Sequence, residues 1–412
     1  MRRVVITGLG AVTPIGCGKE EFWNALEEGK NGVANITLFD TTNHNSKIAG
    51  EIKDFNPENW LDKKEIRRTD RVLHLVTAAA DMAVEDAKLD LDSIDKNMFG
   101  VYIGSGEGGI STIEDNFRTL FEKGPNRVSP FMVPMMITNM PAAYVAIRFG
   151  AKGPNMAVVT ACASSINSMG EAYNCIVRGD ADVMLTGGSE AAITPIATAG
   201  FASLKALSGR EDDPEHASRP FDLGRDGFVI AEGSGILVFE ELEHAKKRGA
   251  HIYAEVKGYG ISCDAHHITA PDPDGDGAYR AMAMAVKKAG WNVEDIDLIN
   301  AHGTSTPLND KMESSAIKKL LGDGVNNTYV HSTKSMIGHA LGAAGSIEMI
   351  ASLLAIEKGI IHPTINQFEP DPCCDINIVK NVAIKSDVSK ILNNNFGFGG
   401  HNAVLAVERY SD

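Results

Sequence analysis

The chain has 412 residues, 43% hydrophobic and 23% charged, a composition suited to one large or two fused globular domains. Its net charge of −15 at neutral pH argues against nucleic acid, whose binding rests on basic patches that release counterions, and against anionic membrane surfaces. No stretch approaches the roughly 18 uninterrupted apolar residues of a membrane span. The apolar run in MRRVVITGLG is too short for a secretory signal, and six scattered cysteines without a CxxC pair fit reduced thiols, so a cytoplasmic location is expected.

In chain order, strand-like runs at 3–7, 99–103, 157–159, 183–185, 236–239, 298–301 and 404–407 alternate with helical stretches such as 73–88 and 277–289. This alternation predicts an α/β fold with buried, partly parallel sheets. Segments 161–179 and 341–359 echo each other at an offset of 180 positions. Each begins with small residues, continues with apolar residues three to four apart, and ends in a cation and a glycine: Arg178–Gly179 and Lys358–Gly359. That pattern predicts two similar helices with C-terminal glycine stops, and hence two similarly built halves.

Three motifs fail on inspection. Gly8-Leu-Gly10 follows a strand like a dinucleotide fingerprint, but Thr13 and Pro14 stand where the third glycine belongs. The run from Asp272 to Gly277 imitates a calcium loop, yet its twelfth position is Ala283 in place of a bidentate glutamate, so it reads as a solvated turn. The segment from Gly187 to Ala191 is near a nucleophile elbow but lacks the final glycine.

The chemistry-bearing candidates lie elsewhere. Cys162, in TACASS, follows an apolar run and opens the first echoed helix, where unpaired N–H groups and the helix dipole favour a thiolate. Position alone fits a buried structural thiol equally well. His302 closes the strand-like run 298–301 ahead of a Gly-Thr-Ser-Thr-Pro loop, and His339 precedes the second echoed helix. Taken singly, each fits a hydrogen-bonded structural residue; a pseudo-twofold relation would bring both to the cysteine. In NFGFGGHN, glycines flank Phe398, freeing backbone N–H groups to face a ligand and the ring to swing, or simply making a turn.

TACASS, NAHGTSTP, STKSMIGHALGAAG and NFGFGGHN, in this order and at matching separations, closely resemble the β-ketoacyl-[acyl-carrier-protein] synthases, type II in particular, from Val4 almost to the C-terminus. The resemblance implies a thiolase-like five-layered αβαβα sandwich of two similar halves, here 1–250 and 251–412, in a homodimer. It implies a Cys162–His302–His339 site supported by Lys334 and Glu348. The backbone N–H groups of Cys162 and Phe398 would form an oxyanion hole with Phe398 as gate, and Thr304 and Thr306 would stand beside the carrier's pantetheine arm. The implied reaction is decarboxylating condensation of acyl-carrier with malonyl-carrier, with no metal or redox cofactor, the phosphopantetheine arriving on the carrier protein.

Acyl carrier proteins are acidic, and Lys63, Lys64, Arg67, Arg68 and Arg71 recur at helical spacing. Lys64, Arg67 and Arg68, with Arg127 and Lys205, match the family's docking positions, although interspersed Asp62, Glu65 and Asp70 also fit a plain solvated helix face. Two positions depart from the family pattern. Glu107 stands in a GSGxGG segment where an apolar residue usually lines the acyl pocket; it must turn away, pair, or mark a shorter or polar acyl substrate. Asn309 replaces a usual glycine, and the sequence gives no account of it. A ketosynthase of polyketide or other specialised acyl assembly is the alternative, which Glu107 favours. Cys162 speaks against a non-catalytic ketosynthase-like subunit, and Phe398, where a thiolase has its second cysteine, speaks against a thiolase.

Overall fold

The computed structural model describes residues 2–411. In chain order its principal elements are β1 (Val4–Thr13), α1 (Arg71–Asp86), β2 (Phe99–Gly104), α2 (Met140–Phe149), β3 (Asn155–Val158), α3 (Ser164–Arg178), β4 (Val183–Glu190) and β5 (Gly233–Glu241). There follow β6 (Ala254–Cys263), α4 (Asp276–Ala289), β7 (Leu298–Asn300), α5 (Pro307–Leu321), β8 (Tyr329–His331), α6 (Ala344–Lys358), β9 (Lys390–Gly397) and β10 (His401–Glu408). The second set repeats the first in order, and the helix Ile110–Lys123 of the first half has no counterpart in the second among the described residues.

The strands form one sheet in the order β8-β7-β9-β10-β6-β1-β5-β4-β2-β3. Pairing repeats as well. β2 runs parallel to β3 and β4, as β7 does to β8 and β9, while β4·β5, β5·β1, β9·β10 and β10·β6 are antiparallel. The half-sheets meet where Val4–Ile6 of β1 pairs with Ala254–Val256 of β6. Helices α1 and α2 cover the outer face of the first half-sheet, α4 and α5 that of the second, and α3 and α6 pack together between them. This is the expected five-layer arrangement.

The echoed helices start at Ser164 and Ala344 and end at Arg178 and Lys358, each followed by a left-handed glycine, Gly179 (φ 85°) or Gly359 (φ 65°). The dinucleotide-like glycines have a packing role instead. A Cβ on Gly10 would strike the Ala79 carbonyl of α1, and one on Gly260 would strike the Ala281 carbonyl of α4. Both pairs let an outer helix lie close on a strand. Helix α1 begins two residues before the expected 73 because Asp70 caps it, accepting the Val72 N–H at 3.1 Å. No described helix is long and apolar enough to cross a membrane.

Candidate active site

Cys162 sits in a tight turn between β3 and α3, two residues before the helix and so not within its first turn. Ala161 is left-handed (φ 50°), and Ser164 braces the turn, its hydroxyl donating to the Ala161 carbonyl (2.6 Å) and accepting from the Thr160 N–H (2.9 Å). Gly397 approaches this turn so closely that a Cβ there would lie 2.6 Å from the Thr160 carbonyl oxygen. The close approach brings the Phe398 N–H, together with that of Cys162 itself, to the sulfur. The expectation of an acidic thiol needs correction. Burial pushes it up, to about 12; the Lys334 charge and the two N–H groups pull it back only in part, and the Glu190 carboxylate pushes further upward.

His302 and His339 stand edge to face, ring centroids 5.2 Å apart, and one donor atom from each lies within 4.8 Å of the others and of the Cys162 sulfur. Both rings are buried. Burial first, then the Lys334 charge, holds both well below the ordinary histidine range, so both are neutral near pH 7. Lys334, fully buried, donates to Glu348, to the His302 carbonyl (2.6 Å) and to His302 Nδ1 (3.3 Å). An ammonium has no acceptor, so it fixes His302 with its proton on Nε2. Asn395 Nδ2 donates to the other Glu348 oxygen at 2.6 Å.

The loop after β7 is gripped by two buried carboxylates of α5. Glu313 accepts the N–H groups of His302 and Gly303, both at 2.8 Å, and Asp310 accepts that of Thr304 at 3.0 Å. Arg225 binds the Thr306 carbonyl (3.2 Å) and Asp371 (2.6 Å). The Thr304 and Thr306 hydroxyls are 3.0 Å apart on the cavity wall. Asn309 now has an account: its amide donates to Asp310 at 3.1 Å and to Glu313 at the edge of range, 3.5 Å, bridging the two carboxylates.

Cys162, both histidines, Thr304, Thr306, Glu107, Asn309 and Phe398 all line one cavity of about 610 Å³. Sequence reading missed several residues of its frame. Glu190 accepts four donors: the N–H groups of Gly106, Glu107 and Gly342 and the Ser105 hydroxyl. In sequence, the segment from Gly187 to Ala191 resembles only an incomplete nucleophile elbow. Asp310, Glu313 and Arg225 were equally silent, since charged residues in a helix or loop read as surface until the fold buries them.

Lys64, Arg67, Arg68, Arg127 and Lys205 are all exposed, and Lys205 borders the cavity. The expected single helical row is corrected, however. The helix there covers only Lys63–Ile66, and Arg71 turns inward to Glu232, bonding it at 2.5 and 2.7 Å. Arg68 instead stacks over the Phe131 ring, 4.8 Å from its centroid, tying this surface to the segment that carries Arg127.

Residues 1–245 match the family model described as Beta-ketoacyl synthase, N-terminal domain, and residues 253–368 match Beta-ketoacyl synthase, C-terminal domain. The chain is 52% identical over 409 residues to 3-oxoacyl-[acyl-carrier-protein] synthase 2 of Synechocystis sp., covering 99% of this chain and 98% of that one. It is 51% identical to the protein of the same name from Staphylococcus aureus, covering 99% of each. Among solved structures it resembles a type II polyketide ketosynthase in complex with its acyl-carrier protein, at TM-score 0.93 and 38% identity, covering 100% of both chains.

Proposed function

Since the chain belongs to the beta-ketoacyl synthase family, as a condensing acyltransferase that extends fatty-acid chains on acyl carrier protein, we propose that Cys162, His302 and His339 carry its chemistry. The supporting observation is their convergence: three reactive atoms within 4.8 Å on the wall of one cavity.

Cys162 attacks the acyl-carrier thioester. Because its resting thiol is not ionised, the proton leaves to an imidazole as the carbon–sulfur bond forms, and passes on to the departing pantetheine sulfur. The N–H groups of Cys162 and Phe398 take the developing oxyanion. Malonyl-carrier follows into the emptied site. The Nε2–H of His302, with His339, donates to its thioester carbonyl, so that the electron pair released as carbon dioxide departs is held as an enolate. Neutral rings suit this task, and Lys334 with Glu348 positions His302 for it. The enolate carbon then attacks the acyl-cysteine, the Cys162 thiolate leaves, and it regains a proton. Thr304 and Thr306 flank the pantetheine arm, and Phe398 gates the cavity. These steps draw on no metal or redox group.

Lys64, Arg67, Arg68, Arg127 and Lys205 offer the carrier a basic docking face. A homodimer is supported by β3, which ends the sheet with Met156 exposed, and by exposed Val159, Phe121 and Ile147. The matched repeat of elements supports dividing the chain at 250/251, between β5 and β6. A cytoplasmic location completes the reading. Ketosynthase action in a specialised acyl pathway is a second reading, favoured by a carboxyl, Glu107, on the cavity wall.

The test is Cys162→Gln in purified protein given acyl-carrier and malonyl-carrier. Condensation should fall more than about a thousand-fold while malonyl decarboxylation persists. A variant that still condenses would remove Cys162 from its role.

A further inference from the structure

A strap at 362–365, none of it on the cavity wall, grips the segment 331–335 on which Lys334 stands. Three bonds fasten it. The Ser332 N–H donates to Thr364 Oγ1 (2.9 Å), the Ile365 N–H donates to Ser335 Oγ (3.0 Å), and the Thr333 hydroxyl meets His362 Nε2 at 3.1 Å. Ser332 donates its own hydroxyl to the Gly303 carbonyl (2.7 Å), so the strap also braces the loop that carries His302. His331 holds the His362 ring in turn. The two rings are buried and stack with centroids 3.9 Å apart, and His331 Nδ1 donates to the His362 carbonyl at 3.1 Å. The Nε2 of His331 is buried without a partner among the described residues. An atom left so is a cost to stability, and what the fold gains with it is a fixed place for the neighbouring ring.

The bond from Thr333 has a direction. His362 Nδ1 lies 3.0 Å from the Pro363 carbonyl, which can only accept, so that nitrogen carries a proton. Burial lowers His362 to about 4, so at neutral pH the ring is uncharged and Nε2 keeps a lone pair. Thr333 therefore gives its one hydroxyl proton to His362. Toward Asn300 its oxygen can then only accept, and it does so from Asn300 Nδ2 at 3.3 Å. The same Nδ2 reaches the Glu348 carbonyl (2.9 Å) and Ser352 Oγ (3.1 Å), tying β7 to α6 at the residue whose carboxylate pairs with Lys334. Released from His362, the Thr333 proton would turn to Asn300 Oδ1, 3.5 Å away, and draw on the amide from its other side. We propose that His362 is a positioning residue for the condensation: it orients the Thr333 hydroxyl, and through Asn300 that orientation sets where Lys334 and Glu348 hold His302. The inference rests on the proposed roles of Lys334 and His302.

The experiment measures kcat and KM for condensation of acyl-carrier with malonyl-carrier at neutral pH. It compares the native protein with His362→Phe, His362→Gln, Thr333→Val and the double variant of His362→Phe with Thr333→Val. Phenylalanine keeps a ring stacked on His331 but offers no acceptor, whereas glutamine offers an amide oxygen in place of Nε2. His362→Phe and Thr333→Val should each lower kcat about ten-fold, the worth of one buried hydrogen bond, with both KM values unchanged. The double variant should be no slower than either single one, since both break the same relay. His362→Gln should keep kcat within about two-fold, even where its urea midpoint falls as far as that of His362→Phe. Native kcat in His362→Phe, losses that multiply in the double variant, or a His362→Gln as slow as His362→Phe overturns this inference alone. Should His362→Phe fail to fold, Thr333→Val decides: a ten-fold loss there upholds the relay, and native kcat overturns it. Full condensation by Lys334→Met overturns the reading beneath as well, because the relay would then have nothing to position.

Discussion

The two turns that precede α3 and α6 occupy equivalent places in the two halves, yet they treat charge in opposite ways. Before α3, the chain sets a single thiol against two N–H groups and keeps it un-ionised by burial. Before and along α6, it buries a full ion pair, Lys334 with Glu348, and uses the cation to hold His302 in one tautomer. A repeated scaffold thus supplies position twice, while the side chains added to each copy decide which half presents the thiol and which presents the imidazoles with their ion pair. The ion pair sits behind the rings, and Cys162, His302 and His339 rest neutral on the cavity wall.

Breaking the second half should have the larger consequence. Lys334→Met strands the Glu348 carboxylate in the interior, costing about 3–5 kcal/mol of stability and lowering both decarboxylation and condensation. Adding Glu348→Gln should recover most of the stability, read by urea unfolding, without recovering activity. A double variant with native activity would show that the pair matters to folding only.

Acid should sharpen the contrast next, because the neutral imidazoles lie in the second half. Stacked His331 and His362, with centroids 3.9 Å apart, join His302 and His339 in being held below the ordinary range by burial; His362 is lowered to about 4. The unfolded chain binds more protons below its histidine pKa near 6.5, so stability is full above that value and declines as pH falls towards 4. His362 alone accounts for roughly 3 kcal/mol of that decline, so the urea midpoint should drop between these limits and by less in His362→Asn. A midpoint flat to pH 4 would contradict the assignment.

The smallest effect should be equal in the two halves. Gly10→Ala and Gly260→Ala each force a strand away from its outer helix, and each should cost about 1–3 kcal/mol. Unequal costs would show that the two strand–helix contacts have diverged.

Much of this contrast was legible before any coordinates. The 180-position echo between 161–179 and 341–359 returns as α3 and α6 with identical spacing, because helix stops are local signals carried by glycine and a terminal cation. Cys162, His302 and His339 could be paired from motifs alone, and they share one cavity. The acidity of Cys162 could not be read, since it depends on how much protein covers the sulfur, and the expected lowering became a rise. Likewise Glu190, Asp310 and Glu313 look like ordinary surface acids until their backbone N–H partners arrive from distant segments. The helical row of basic residues breaks at Arg71 for the opposite reason: Arg71 has a buried partner, Glu232, that spacing cannot reveal.

The claim that the reacting groups rest neutral is tested most directly by alkylating Cys162 with iodoacetamide across pH and following that one thiol by peptide mass spectrometry. The rate should climb steadily from neutrality through about pH 9, the ordinary thiol value, without levelling. A plateau reached by pH 7 would mean that the sulfur is already anionic at rest, and would contradict the account.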